Sequence, residues 1–174
     1  MSESGARLAQ ALALHHQGRL AEAVSLCREV LAHEPANGAA LHLLGLSVAR
    51  AGDAQQAVPL LQAAAQLQPG NASVHANLAG ALSAAGRHAE ALTSYERALA
   101  LQPDLAVAHR GRGAAFARLG QLEAALASFR EALRLAPNDD QACNGLGVAL
   151  ERANCREQAQ QCFRRAIPET KRMR

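Results

Sequence analysis

Apolar residues in this chain fall into paired short stripes. Between Gly38 and Asn71, Leu41, Leu44 and Val48 keep one helical spacing, and Ala57, Leu60, Leu61 and Ala64 keep a second. Both follow the i, i+3, i+4, i+7 order of a one-sided helix, and neither shows the alternation of a strand. Gly52 lies between the stripes, where a left-handed cap ends the first helix, and Asp53 is placed to cap the second. Pro69 stops that second helix, and Asn71 offers an N-cap oxygen to whatever follows.

The same arrangement is written repeatedly at a step of 34 residues: Pro35, Pro69, Pro103 and Pro137; Gly18, Gly52, Gly86 and Gly120, with Asn154 in the next slot; Ala23, Ala57, Ala91, Ala125 and Ala159. A period between about 20 and 50 residues marks a solenoid or an array. The pattern predicts an all-α chain of ten antiparallel helices in five hairpins, near residues 5–17, 20–33, 38–51, 54–67, 72–85, 88–101, 106–119, 122–135, 140–153 and 156–167. The five units are 4–37, 38–71, 72–105, 106–139 and 140–173, together one domain over 4–173.

The columns also predict packing. Ala11, Gly45, Ala79, Gly113 and Gly147 are expected to face the alanines of the second helices, because two backbones approach closely only across small side chains. The larger column Cys27, Leu61, Tyr95, Phe129 and Phe163 is expected to fill the space between neighbouring hairpins. Pro59, inside a second helix, removes one backbone bond and predicts a kink. The fifth unit departs from the pattern at Gln160, at Pro168 and at Lys171, where the closing proline is absent, which marks a polar cap or a continuing chain.

Composition narrows the class. The apolar share is mostly Ala and Leu, with three Phe and one Tyr, which is helix-forming material. A formal charge of +3, with no dense basic stripe and no interleaved aromatics, argues against a nucleic-acid partner. No stretch approaches the roughly 20 apolar residues that cross a bilayer, and the N-terminus lacks the features of a secretion signal, so a cytoplasmic chain without membrane insertion is expected. Cys27, Cys143, Cys155 and Cys162 form no CxxC pair, so reduced thiols are the expectation.

Leu41, Leu44-Gly45, Val48, Ala57, Leu61, Ala64 and Pro69 together resemble the tetratricopeptide repeat (TPR), with Leu61 where an aromatic is usual. Leu78-Ala79, Leu82, Ala91, Tyr95, Ala98 and Pro103 repeat the resemblance, as do Gly113, Phe116, Ala125, Phe129, Ala132 and Pro137. It implies a right-handed superhelical solenoid whose first helices line a groove for an extended peptide or a partner helix. The scaffold is shared and the ligands vary, so the ligand must be argued from the site.

Catalytic chemistry has little to stand on. Gly45-Leu46-Ser47-Val48-Ala49 imitates a nucleophile elbow but lacks the final glycine and lies within a helix. Gly111-Arg112-Gly113 and Gly145-Leu146-Gly147 follow no strand, so they read as helix packing and not as nucleotide loops. His75, His109 and Cys143 share a column, but stacked helices about 8–10 Å apart hold such side chains too far from one another for one ion. Neither an enzyme nor a cofactor or metal is expected.

Carried over by column, the groove presents His42, Arg50, Asn77, Arg110, Arg118, Asn144 and Arg152, with Glu151 as its acid, while most other carboxylates fall on second helices. Arg50, Arg118 and Arg152 share a column where a cation suits the end of its own helix. Arg110 lies outside it and, beside Asn77, is expected to offer a fork to a carboxylate or to backbone carbonyls of a ligand. A chaperone-tail clamp is unlike this set, because Leu8, Leu12, His42, Leu46, Val107 and Gly111 occupy clamp positions. The expected function is a protein-interaction scaffold that binds an extended acidic or carboxylate-bearing peptide, or a partner helix, in its groove. The alternative is a substrate-presenting region of a bacterial glycosyltransferase or sulfotransferase. Exposed solenoid edges also leave self-association open.

Overall fold

The computed structural model describes residues 3–166, so Pro168 and Lys171 lie outside the described residues, as does the side chain of Phe163. Among the described residues there are ten α-helices and no strand. They run α1 Glu3–His16, α2 Leu20–His33, α3 Gly38–Arg50, α4 Ala54–Leu67, α5 Ala72–Ala84, α6 His88–Leu101, α7 Ala106–Arg118, α8 Leu122–Leu135, α9 Asp140–Arg152 and α10 Arg156–Ala166. Each boundary lies within two residues of the expected one.

The punctuation residues set those boundaries. Gly18, Gly52, Gly86 and Gly120 all have positive φ, and Asn154 takes the same conformation at φ 61°. At each, two backbone bonds close the helix end: Gly52 N–H donates to Ala49 O at 3.0 Å and Asp53 N–H to Val48 O at 3.2 Å. This pair satisfies carbonyls that the last turn otherwise leaves open. The next helix starts on a side-chain cap in several units, with Asn37 accepting from Ala40 N, Asp53 from Gln56 N and Asp139 from Ala142 N. Asn37 also donates to Glu34 at 2.7 Å and Asn71 to Gln68 at 2.8 Å, so one amide both caps a helix and ties down the loop before it. Pro59 leaves α4 uninterrupted from Ala54 to Leu67.

The chain divides into two compact units, Met1–Arg87 and His88–Arg174. In the first, α1 packs on α2, α2 on α3, α3 on α4 and α4 on α5, and α3 also touches α1 and α5. The first helices α1, α3 and α5 thus form one layer, with α2 and α4 behind it. Ala11, Ala23, Cys27, Val30, Ala57, Leu61 and Ala64 are fully enclosed between the layers. Burial pushes the Cys27 thiol up to about 11, which keeps it protonated and inert.

The second unit repeats the scheme from α6 to α10, with α7 touching α9. Its core gathers Ala125, Phe129, Ala132, Leu146, Ala149, Leu150 and Ala159. Here the packing differs from the small-on-small pairing read from the columns. A Cβ placed on Gly113 would meet the Phe129 ring at 3.0 Å and one on Gly145 would meet it at 2.6 Å. Phe129 therefore lies in a slot between a glycine of its own hairpin and a glycine of the next. Leu61 fills the corresponding space over Gly45, at 2.7 Å from a notional Cβ, and Tyr95 lies over Gly111. The glycines make room for the large column itself, because the ring edge reaches nearer to the facing backbone than an alanine methyl does.

Candidate functional site

The seven residues expected to form one groove have separate surroundings. Arg50 sits in the last turn of α3, yet its Nη1 donates to His15 O at the end of α1, 2.7 Å away. Arg152 does the same from α9 to Ala117 O at 3.1 Å. Arg50 and Arg152 thus tie one hairpin to the one before it through a carbonyl that also accepts a turn N–H, from Gly18 at His15 O and from Gly120 at Ala117 O, while each stays in the last turn of its own helix, where a cation is favourable. Arg118 and Asn144 are exposed on α7 and α9.

Asn77 on α5 donates from Nδ2 to His42 Nε2 on α3 at 2.9 Å, which sets His42 as an acceptor at that nitrogen. Burial holds His42 below the usual imidazole range, so the ring is neutral near pH 7. Arg110 on α7 donates to Asp139 Oδ1 at 3.2 Å, and the two side chains are 29% and 12% exposed. Asn77 belongs to the first unit and Arg110 to the second, and each meets a partner within its own unit. Asp139 lies in the cap column and not in the groove column, so the groove columns alone did not place this carboxylate beside Arg110.

The histidine column has a structural explanation. His75 Nε2 faces Pro69 O at 3.1 Å and His109 Nε2 faces Pro103 O at 2.7 Å, so each donates to the carbonyl of the proline turn that precedes its helix. Among the described residues no three His, Cys, Asp or Glu side chains converge as metal ligands. No described helix is long and apolar enough to cross a membrane.

The first unit contains a cleft of about 400 Å³ that the column reading did not assign. Its walls are Leu8, Ala9 and Leu12 from α1 and Ala39, His42, Leu43 and Leu46 from α3, with Gln68 and Asn71 at one end. Leu12 is 46% exposed and Leu8 and Leu46 are half-buried, so apolar side chains stand open to solvent around a neutral imidazole. Three of these, Leu8, Leu12 and Leu46, were legible only as obstacles to a polar clamp. The signal was an apolar stripe on the face of α1 and α3 that the second helices do not cover.

The sequence matches three models of the tetratricopeptide repeat, over residues 2–40, 48–114 and 106–139. No curated protein sequence matches the chain. Among solved structures, residues 41 to the end of MamA from Desulfovibrio magneticus RS-1 align at a TM-score of 0.83 with 22% identity, over 95% of this chain and 94% of that one. A crystal structure of MamA aligns at 0.79 with 22% identity, over 90% and 91%. YrrB, a TPR protein with an unusual peptide-binding site, aligns at 0.74 with 21% identity, over 92% and 83%. At these identities the likeness is one of fold.

Proposed function

Because the chain belongs to the tetratricopeptide repeat family, a scaffold for protein interaction, we propose that it is a binding module whose first-helix face receives a partner peptide or helix by an apolar anchor. The observation that carries this reading is the open cleft between α1 and α3, with its leucine walls and no ionised side chain in its lining. Burial of one large apolar side chain contributes about 1.5–3 kcal/mol, enough to make such a cleft the anchor of an otherwise extended contact. The neutral His42 ring and the amides of Gln68 and Asn71 supply hydrogen-bonding groups at its edge for a peptide backbone.

The finer expectation, an acidic or carboxylate-bearing ligand, draws its support from the second unit. Arg110 there already holds a carboxylate at 3.2 Å, and Arg118 is exposed on the same helix. Salt separates the two chemistries, since the Debye length falls from about 10 Å at 0.1 M to about 3 Å at 1 M.

The test is selection from a random-peptide phage library, followed by titration of the recovered peptides against the wild type and the Leu12→Asp and Leu46→Asp variants. Recovered peptides are expected to share a large apolar residue. Each charge in the cleft is expected to weaken them by about tenfold or more, the equivalent of about 1.4 kcal/mol. Their affinity is expected to change little between low and high salt, with the helical melt of the variants unchanged. Peptides without a common apolar residue, or binding that survives both variants, would overturn the cleft assignment, and a steep salt dependence that Arg110→Ala removes would favour the acidic-ligand chemistry.

A further inference from the structure

Where α1 meets α3, one contact has no counterpart in the second unit. His15 Nδ1 lies 2.9 Å from Ser47 Oγ, and Ser47 Oγ donates onward to Leu43 O at 2.9 Å. Since the hydroxyl proton is used on that carbonyl, the imidazole donates from Nδ1 to the hydroxyl oxygen. Ser47 is 0% exposed. Three repeats further on, where α7 meets α9, the equivalent residues are Ala117 and Ala149, and Ala117 O still receives the arginine of the next first helix. Joining these helices therefore requires the arginine and not the imidazole or the hydroxyl. The first unit has added a part-buried polar contact, one member of which is an imidazole, whose proton affinity its surroundings lower.

The surroundings of that imidazole disfavour a second proton. On α3 the guanidinium of Arg50 is hydrogen-bonded to His15 O, and on α1 the His16 ring stands edge-on with centroids 5.8 Å apart. His42 is the other ionisable group on α3 that borders α1, and it is neutral by burial. On the α2 side, Arg19 and Glu22 close on each other, and Glu29 reaches Arg7 near the start of α1. No carboxylate is among the groups that act on His15, whose proton affinity is lowered by burial first and by Arg50 and His16 after it.

We propose that the His15–Ser47 pair makes the seating of α1 on α3 a pH-sensitive latch, so that acidification loosens α1 and dismantles the apolar cleft that the two helices wall. This rests on the cleft as the binding site, but the latch itself is read without any ligand. Charging His15 places a cation beside Arg50 at the joint while the helix end it caps is unchanged. Among the described residues α1 is held by α2 behind it and by α3 beside it, so its seating on α3 is one of two contacts that fix it.

Hydrogen exchange of the full chain, corrected for the intrinsic pH dependence of exchange, tests this at pH 7.5 and pH 5.5 without a ligand. Exchange in α1 is expected to rise relative to that in α4, by up to about tenfold for each pKa unit separating the docked from the undocked imidazole. The double variant His15→Ala/Ser47→Ala reproduces the pair found between α7 and α9, so its fold has a precedent in this chain, and its α1 is expected to lose the pH response. A separate His42→Leu variant is expected to keep it. Equal acid loosening of α1 and α4, a response that persists in the double variant, or one that vanishes with His42→Leu alone would each overturn the latch. If the latch holds while Leu12→Asp leaves peptide binding intact, the latch stands and the cleft reading fails.

Discussion

At the scale of single residues, the turn glycines carry more than their size implies. Gly52 has φ +98° and no heavy atom within 4 Å of a notional Cβ, so space is not what selects it. Backbone conformation is, since a β-carbon in the left-handed region costs about 1–2 kcal/mol. Gly52→Ala is therefore expected to lower stability by about that amount, read as a shift in urea midpoint with little change in slope. An unchanged midpoint would show that the turn relaxes to negative φ. Asn154 occupies the same slot at φ 61°, and the sequence already identified it as the exception, because Asn is the non-glycine residue that tolerates this region best.

Among helices, the aromatic slot is the feature with the sharpest consequence. Phe129 on α8 is covered from α7 by Gly113 and from α9 by Gly145, and a methyl at Gly145 would sit 2.6 Å from the ring. Gly145→Ala is expected to cost about 1–3 kcal/mol by overpacking, despite the better helix propensity of alanine. The paired variant Gly145→Ala/Phe129→Leu, which copies the Leu61 of another unit, is expected to recover part of the loss in a denaturant melt. Such helix-level detail was only partly legible beforehand. Gly and Pro at a fixed step place every helix end within two residues, because turn chemistry is local. The destination of the Arg50 guanidinium was not legible, since a column of arginines looks the same whether each serves its own helix or the preceding one. Leu8, Leu12 and Leu46 were visible as apolar, but periodicity alone does not distinguish a stripe that another helix covers from one that none does.

For the molecule as a whole, acid is the informative perturbation. His15 and His42 both have their proton affinity lowered in the folded state, by burial above all, from an ordinary value of 6.5. The unfolded chain then binds protons more readily, so stability is fully present above about pH 6.5 and falls as pH drops through the folded values. A second loss follows below about pH 4.5. There Glu22 and Glu131 lose the hydrogen bonds from Arg19 and Arg134 that depress them, and Glu34 loses those from Ser4 and Asn37. A profile of denaturation midpoint against pH is expected to fall in two stages. A flat line between pH 7.5 and pH 5.5 would contradict the burial of the two imidazoles.

The Arg110–Asp139 pair also bears on ligand choice. One carboxylate oxygen of Asp139, Oδ1, both caps α9 through Ala142 N at 2.9 Å and receives Arg110 at 3.2 Å. The carboxylate is held by the chain itself, and tethered groups act at effective concentrations in the millimolar range. Any acidic peptide that approaches this arginine meets an internal competitor that never diffuses away and whose position is set by the helix it caps. Weak carboxylates free in solution are filtered out, and a ligand gains this guanidinium only when the rest of its contacts already hold it in place.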